Sequence, residues 1–281
     1  MLGGTGAAEL YAGFSAPVFA FSYLVVLTLV ALPLAILLGY RLGRIEYRRR
    51  GYDKMPPQQV PGSTSLGAIL ALLGLLLGFA FSTSLGWREA RQSALVEEAA
   101  AIGTAFLIAD LLEDPGRTDL QTRILVYAKT RVAGADDIRT LEAWRAFLGR
   151  TFEAQAEIWP ATLRAIGGAS DPVRTTVAQS VTAMMDAHTR RIAAAAEQIP
   201  PPAKLMIFLV AVVAMLITGN RTALQGRTLT WRSFTFAALL SVIMIVIFDL
   251  DRTLEGAMRT NTDTLVATIG DMEKALNSGG D

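Results

Sequence analysis

Four stretches of the chain stay apolar on every face and carry charge only at their ends: Pro17 to Tyr40, Leu66 to Gly86, Ala203 to Gly219 and Ser233 to Leu250. A buried helix of a soluble protein rarely stays apolar on every face for five turns, whereas a helix crossing hydrocarbon needs about 17 to 25 apolar residues. The pattern therefore predicts four membrane spans. Between the second and third, from Trp87 to Ile199, the period becomes that of amphipathic helices. Leu95, Ile102, Phe106 and Ala109 recur at helical spacing, as do Ile138, Leu141, Trp144, Leu148, Phe152, Gln155 and Trp159. Breaks fall at Asp114-Pro115-Gly116, Gly134, Trp159-Pro160 and Gly167 to Pro172, and no stretch alternates as a strand does. The expected fold is all-α, a polytopic membrane protein with four transmembrane helices and a helical extramembrane domain inserted between helices 2 and 3. Its divisions are a tail (1–16), span one (17–40), a basic loop (41–65), span two (66–86), the helical domain (87–202), span three (203–219), a second basic loop (220–232), span four (233–250) and a C-terminal tail (251–281). No turn signal separates span two from the charged residues after Gly86, so one helix is predicted from Leu66 to about Leu112.

Composition agrees, since 52% of residues are hydrophobic, above the roughly 45 to 50% of soluble domains. Residues 1–16 contain Glu9 and no Lys or Arg, so the first apolar stretch reads as a span and not as a cleavable signal. Arg41, Arg44, Arg48, Arg49, Arg50 and Lys54 crowd the loop after span one, and Arg221, Arg227 and Arg232 stand without an acid in the loop before span four. Short basic loops remain cytoplasmic, which predicts an inner-membrane protein whose N-terminus and helical domain face the periplasm. Absence of cysteine excludes disulfides and thiolate metal ligands. A net charge of +1 without an aromatic-studded basic face gives no basis for nucleic-acid binding.

Span two carries two stripes. Gly74, Gly78, Ser82 and Gly86 are small and spaced by four, and Leu73, Leu77 and Phe81 are bulky. Such stripes serve helix packing, or, with several copies around an axis, a pore whose bulky side chains form the constriction. The hydroxyls of Ser82, Thr83 and Ser84 lean toward a wetted lumen. Span four ends in Asp249 and Asp251, on the same predicted side as Arg88, Glu89 and Arg91. Carboxylates at a bilayer edge are costly unless paired, so this charged mouth predicts an ion pair from Asp249 or Asp251 to Arg88 or Arg91. His188, the only histidine, lies on an apolar face with Val177, Val181 and Met184; it reads as a core residue and not as a metal ligand. Asp186 and Arg190 are spaced as a surface pair. Neither HExxH, GxSxG nor a phosphate loop is present, so no catalytic residue, enzyme activity or cofactor is expected.

The segments FSTSLGWREAR (81–91), VEEAAAIGTAFLIADLL (96–112), IWPA (158–161), MMDAHTRRI (184–192), IPPP (199–202) and IFDLDR (247–252) together resemble the bestrophin-like family of bacterial membrane proteins. That family is in turn similar to bestrophins, pentameric ion channels whose second span narrows the pore. The resemblance places Arg88-Glu89-Ala90-Arg91 at the segment following that span, and Asp249-Leu250-Asp251 at the aspartate stretch following the fourth. It implies a homo-oligomer in the lipid bilayer with inorganic ions as its cargo. The paired tryptophans and dense acidic cluster of the animal calcium clasp are missing, so calcium gating is not implied. Bestrophins keep the large helical region in the cytoplasm, whereas the basic loops here predict the outside. A second reading is a membrane-anchored binding or signalling module whose outer helical domain engages a partner or ligand.

Overall fold

The apolar run of span two and the charged segment behind it form one unbroken helix. In the computed structural model, which describes residues 21–50, 63–134, 137, 141–252 and 261–278, the helices are α1 (Phe21–Arg50), α2 (Ser63–Ile108), α3 (Gly116–Lys129), α4 (Leu141–Ala165), α5 (Asp171–Ala196), α6 (Pro201–Leu224), α7 (Trp231–Leu250) and α8 (Asp263–Ser278). At about 1.5 Å per residue, α2 is about 69 Å long. No strand occurs among the described residues, and four helices are long and apolar enough to cross a membrane. The protein is a polytopic, all-helical membrane protein. The N-terminal tail, Lys54 in the first basic loop, Ile138, and the side chains of Leu141 and Trp144 lie outside the described residues.

The chain divides into two compact units, Pro17–Arg88 with Gln198–Met258, and Met1–Ala16 with Glu89–Glu197 and Arg259–Asp281. In the first, the membrane unit, α1 lies against α6 with almost no side chain between them. A Cβ on Gly39 would stand 1.9 Å from the carbonyl oxygen of Leu216, and one on Gly219 would stand 2.0 Å from that of Ile36. Only glycine permits that approach. Around the seam Leu32 and Ile36 of α1, Leu73 and Leu77 of α2, Ala211 and Met215 of α6, and Leu240 and Met244 of α7 form one buried core. The hydroxyl of Ser241, fully buried, donates to the carbonyl oxygens of Ala237 at 2.9 Å and Thr28 at 3.3 Å.

The second, helical unit buries Leu95, Ile102 and Phe106 of α2 against Leu120 and Ile124 of α3, Ile158 of α4, and Val177, Val181 and Met184 of α5. Its core is completed by α8, in the segment read from sequence as a tail. Leu265 and Met272 are 0% and 3% exposed there, and Ile269 and Leu276 pack beside them. These four residues share one face of a helix, so α8 has an apolar stripe that water cannot solvate cheaply.

Candidate functional site along the second span

The small-residue stripe of α2 is exposed, as are Leu72, Leu75 and Phe79 beside it. Gly74, Gly78, Ser82 and Gly86 are all exposed, and a Cβ built on any of the three glycines meets nothing within 4 Å. Ser82 and Thr83 are exposed with them, while Ser84 is fully buried and its hydroxyl has no hydrogen-bond partner among the described residues. The bulky stripe divides. Leu73 and Leu77, 2% and 8% exposed, are packed inside the core of the membrane unit, while Phe81 is 44% exposed. Of the three expected constriction residues only Phe81 is exposed. Period 3.6 explains the split, because a residue four positions on advances about 40° around the helix and a stripe spaced by four drifts off its starting face.

At the charged mouth the partners of Asp251 are defined. Asp251 is fully buried and pairs with Lys204 at 2.5 Å, while its other oxygen accepts the backbone N–H of Ile199 at 2.7 Å. Lys204 is the only cation at the head of span three. Asp251 therefore answers to α6 and the turn before it. Asp249 is 4% exposed. Arg91, likewise 4% exposed, donates to the carbonyl oxygen of Glu197 at 3.3 Å. Arg88 is half-buried, and its Nε has no acceptor among the described residues. Glu89 is exposed. Arg190 pairs with Glu97 at 3.5 Å instead of the expected Asp186.

Beyond the span, α2 carries a buried carboxylate that sequence reasoning missed. Glu98 is 0% exposed. Its Oε1 accepts from Arg131 Nε at 2.8 Å and from the Tyr127 hydroxyl at 3.2 Å, and its Oε2 accepts from Arg191. His188 Nδ1 lies 3.0 Å from the Tyr127 oxygen and 3.4 Å from Glu98 Oε1. Because a carboxylate only accepts, the phenol proton points to Glu98 and His188 Nδ1 donates to the phenol oxygen, which leaves the lone pair on Nε2. That Nε2 is buried and without a partner among the described residues. Burial alone would push the Glu98 carboxyl up, but the approach of His188 Nδ1 and the Arg131 and Arg191 charges outweigh it and hold the group far below the ordinary carboxylate range. Burial, reinforced by Arg131 and Arg191 and opposed by Glu98, pushes the His188 imidazole down. Burial likewise pushes the Tyr127 phenol up. The cluster thus holds a carboxylate, two guanidiniums, a neutral phenol and a neutral imidazole, and it joins α2, α3 and α5 with Arg131 just beyond α3. The sequence signal was Glu98 on the same face as Leu95 and Ile102, a charge on an apolar stripe. Among the described residues no group of His, Cys, Asp and Glu is disposed to hold a metal ion.

A continuous span helix, three further spans and a helical unit define the class, an integral membrane protein. The chain belongs to the Bestrophin-like family, whose domain profile matches residues 62–265. Among solved structures it is similar to the crystal structure of a bacterial bestrophin homologue from Klebsiella pneumoniae, a point variant, with 13% identity and a TM-score of 0.58 over 89% of this chain and 95% of that one. At that identity the likeness is one of fold. No curated protein sequence matches the chain.

Proposed function

We propose that the protein is an oligomeric ion channel in which copies of α2 surround the pore. The observation that carries this reading is the open face of Gly74, Gly78, Ser82 and Gly86, which is exposed in the protomer and meets no neighbouring side chain. In hydrocarbon, bare helix backbone with exposed hydroxyls gains from a second helix or from water, and Ser82 and Thr83 offer hydrogen bonds to a wetted path. Phe81, on the exposed side, narrows that path by dewetting and without charge. Glu89, exposed one turn past Gly86, adds a charge at the end of that face.

Purified protein in planar bilayers is expected to conduct. Phe81→Ala should conduct more than the parent with unchanged assembly, whereas Leu77→Ala, a cavity in the buried core, should cost about 2 to 5 kcal/mol in thermal stability without raising conductance. Silence of parent and Phe81→Ala alike, with the oligomer intact, would retire the channel and leave the binding or signalling module.

The basic loops support a periplasmic helical unit in an inner-membrane protein. A reporter active only in the periplasm should work when fused at Gly149 and fail at Gly51. The reverse pattern would put the helical unit in the cytoplasm.

A further inference from the structure

The membrane unit has an arginine-rich end that the channel reading does not use. The glycine seam of Gly39, Gly43 and Gly219 draws α1 and α6 together, and the contact continues past the apolar part. A Cβ on Gly43 would stand 2.4 Å from the carbonyl oxygen of Asn220, and the Tyr47 hydroxyl lies 3.3 Å from the corresponding position on Gly226, whose φ is +68°. Leu224 and Tyr47 pack together beside it. Residues 43–47 of α1 therefore run alongside residues 220–226. Arg44, Arg48 and Arg49 on α1 come to the same end of the unit as Arg221, Arg227 and Arg232 from α6, the turn and α7.

These six arginines differ from those of the helical unit, where Arg123, Arg131 and Arg191 each meet a carboxylate. Among the described residues no ion pair reaches any of the six; Arg44 lies 5.8 Å from the centre of the Tyr40 ring. The loop of residues 220–232 has no acid, and on α1 the one acid, Glu46, has an interaction of its own. Arg221 adds a second, independent sign. Its Nε is buried and has no acceptor among the described residues. A guanidinium N–H withdrawn from water without an acceptor is costly, and phosphate oxygens accept from guanidinium at two points.

We infer that this end of the membrane unit is a binding site for the phosphate headgroup of an anionic phospholipid. The choice of a lipid over a dissolved anion rests on what lies between the arginines. Leu42 and Ile45 are 53% and 51% exposed, interleaved with Arg44 and Arg48, and Trp231 is 72% exposed beside Arg232, with Phe236 and Leu239 exposed further along α7. A soluble anion needs only the cations. A phospholipid uses both, setting its acyl chains on the apolar residues and its phosphate against the arginines, with Trp231 at headgroup depth. The site lies at the ends of α1, α6 and α7 and does not depend on conduction.

The test is a melt of the purified full chain in neutral detergent micelles with phosphatidylglycerol, phosphatidylcholine or inorganic phosphate added, paired with native mass spectrometry. Phosphatidylglycerol should raise the melting temperature by about 3 °C or more and remain bound in the spectrometer. Arg221→Gln should lose most of that rise. Should Arg221→Gln fail to fold, the exposed pair Arg44→Gln with Arg48→Gln carries the same expectation. An equal rise with phosphatidylcholine, a rise with inorganic phosphate alone, no rise with phosphatidylglycerol, or a full rise in the variants would each overturn the proposal.

Discussion

Glu98→Gln is expected to lower the stability of the helical unit by about 3 to 5 kcal/mol, because it leaves buried guanidiniums without their carboxylate. Arg131 is 6% exposed and the Arg191 side chain 20%, so water replaces little of what Glu98 supplies. A neutral amide accepts at one oxygen only, and its NH2 group faces donors. Circular dichroism melts of parent and variant would show the difference, and an unchanged melt would mean that both arginines find other acceptors. Acid should act in the same direction. The Glu98 carboxyl is held below its ordinary value of 4.5 in the fold, so its contribution is complete above that value and is lost as pH falls through the folded one. His188 is also held below its ordinary 6.5, so the unfolded chain takes up its proton first and stability declines as pH drops below about 6.5. His188→Gln should flatten the decline between pH 7 and 5 and leave the steeper loss at lower pH in place.

Gly219→Leu should abolish the packed membrane unit altogether. The first added carbon would sit 2.0 Å from the Ile36 carbonyl oxygen and 2.9 Å from the Tyr40 nitrogen, atoms of the backbone that no rotamer can move aside. Separating α1 from α6 to admit the side chain would also void the contacts of Leu32, Ile36, Ala211 and Met215, a loss at the upper end of the roughly 2 to 5 kcal/mol seen for large core defects. Size-exclusion profiles in mild detergent and the yield of folded protein are the measurements. Gly78→Leu is the control, since a Cβ there meets nothing within 4 Å, and it should keep the protomer's fold. A monodisperse, heat-stable Gly219→Leu protein would contradict the seam.

What could be read in the sequence was whatever repeats along one helix. The four spans, the all-helical class and the passage of span two into the charged segment follow from runs and periods that need no knowledge of neighbours. The face of His188 was legible for the same reason. What could not be read were meetings between residues far apart in the chain. Nothing near Asp251 names Lys204, 47 positions earlier, and nothing near Glu98 names Arg191, 93 positions later. The bulky stripe shows a subtler limit. Spacing places Leu73, Leu77 and Phe81 near one another on the helix, but only the neighbouring helices decide that the first two turn inward. Leu265, Ile269, Met272 and Leu276 show the opposite case, a helical period present in the supposed tail that calls for an apolar partner.

Because α8 supplies Leu265 and Met272 to a core otherwise made from residues 95–184, the helical unit cannot close when its own long segment leaves the ribosome. Two more spans have to be threaded into the bilayer before α8 exists. Throughout that interval the faces of α2 beside Gly103 and of α3 beside Leu125 stand partly uncovered, and a holdase on that side of the membrane would find its substrate there. The order of synthesis therefore makes completion of this unit a late step in biogenesis, one that follows insertion and does not accompany it.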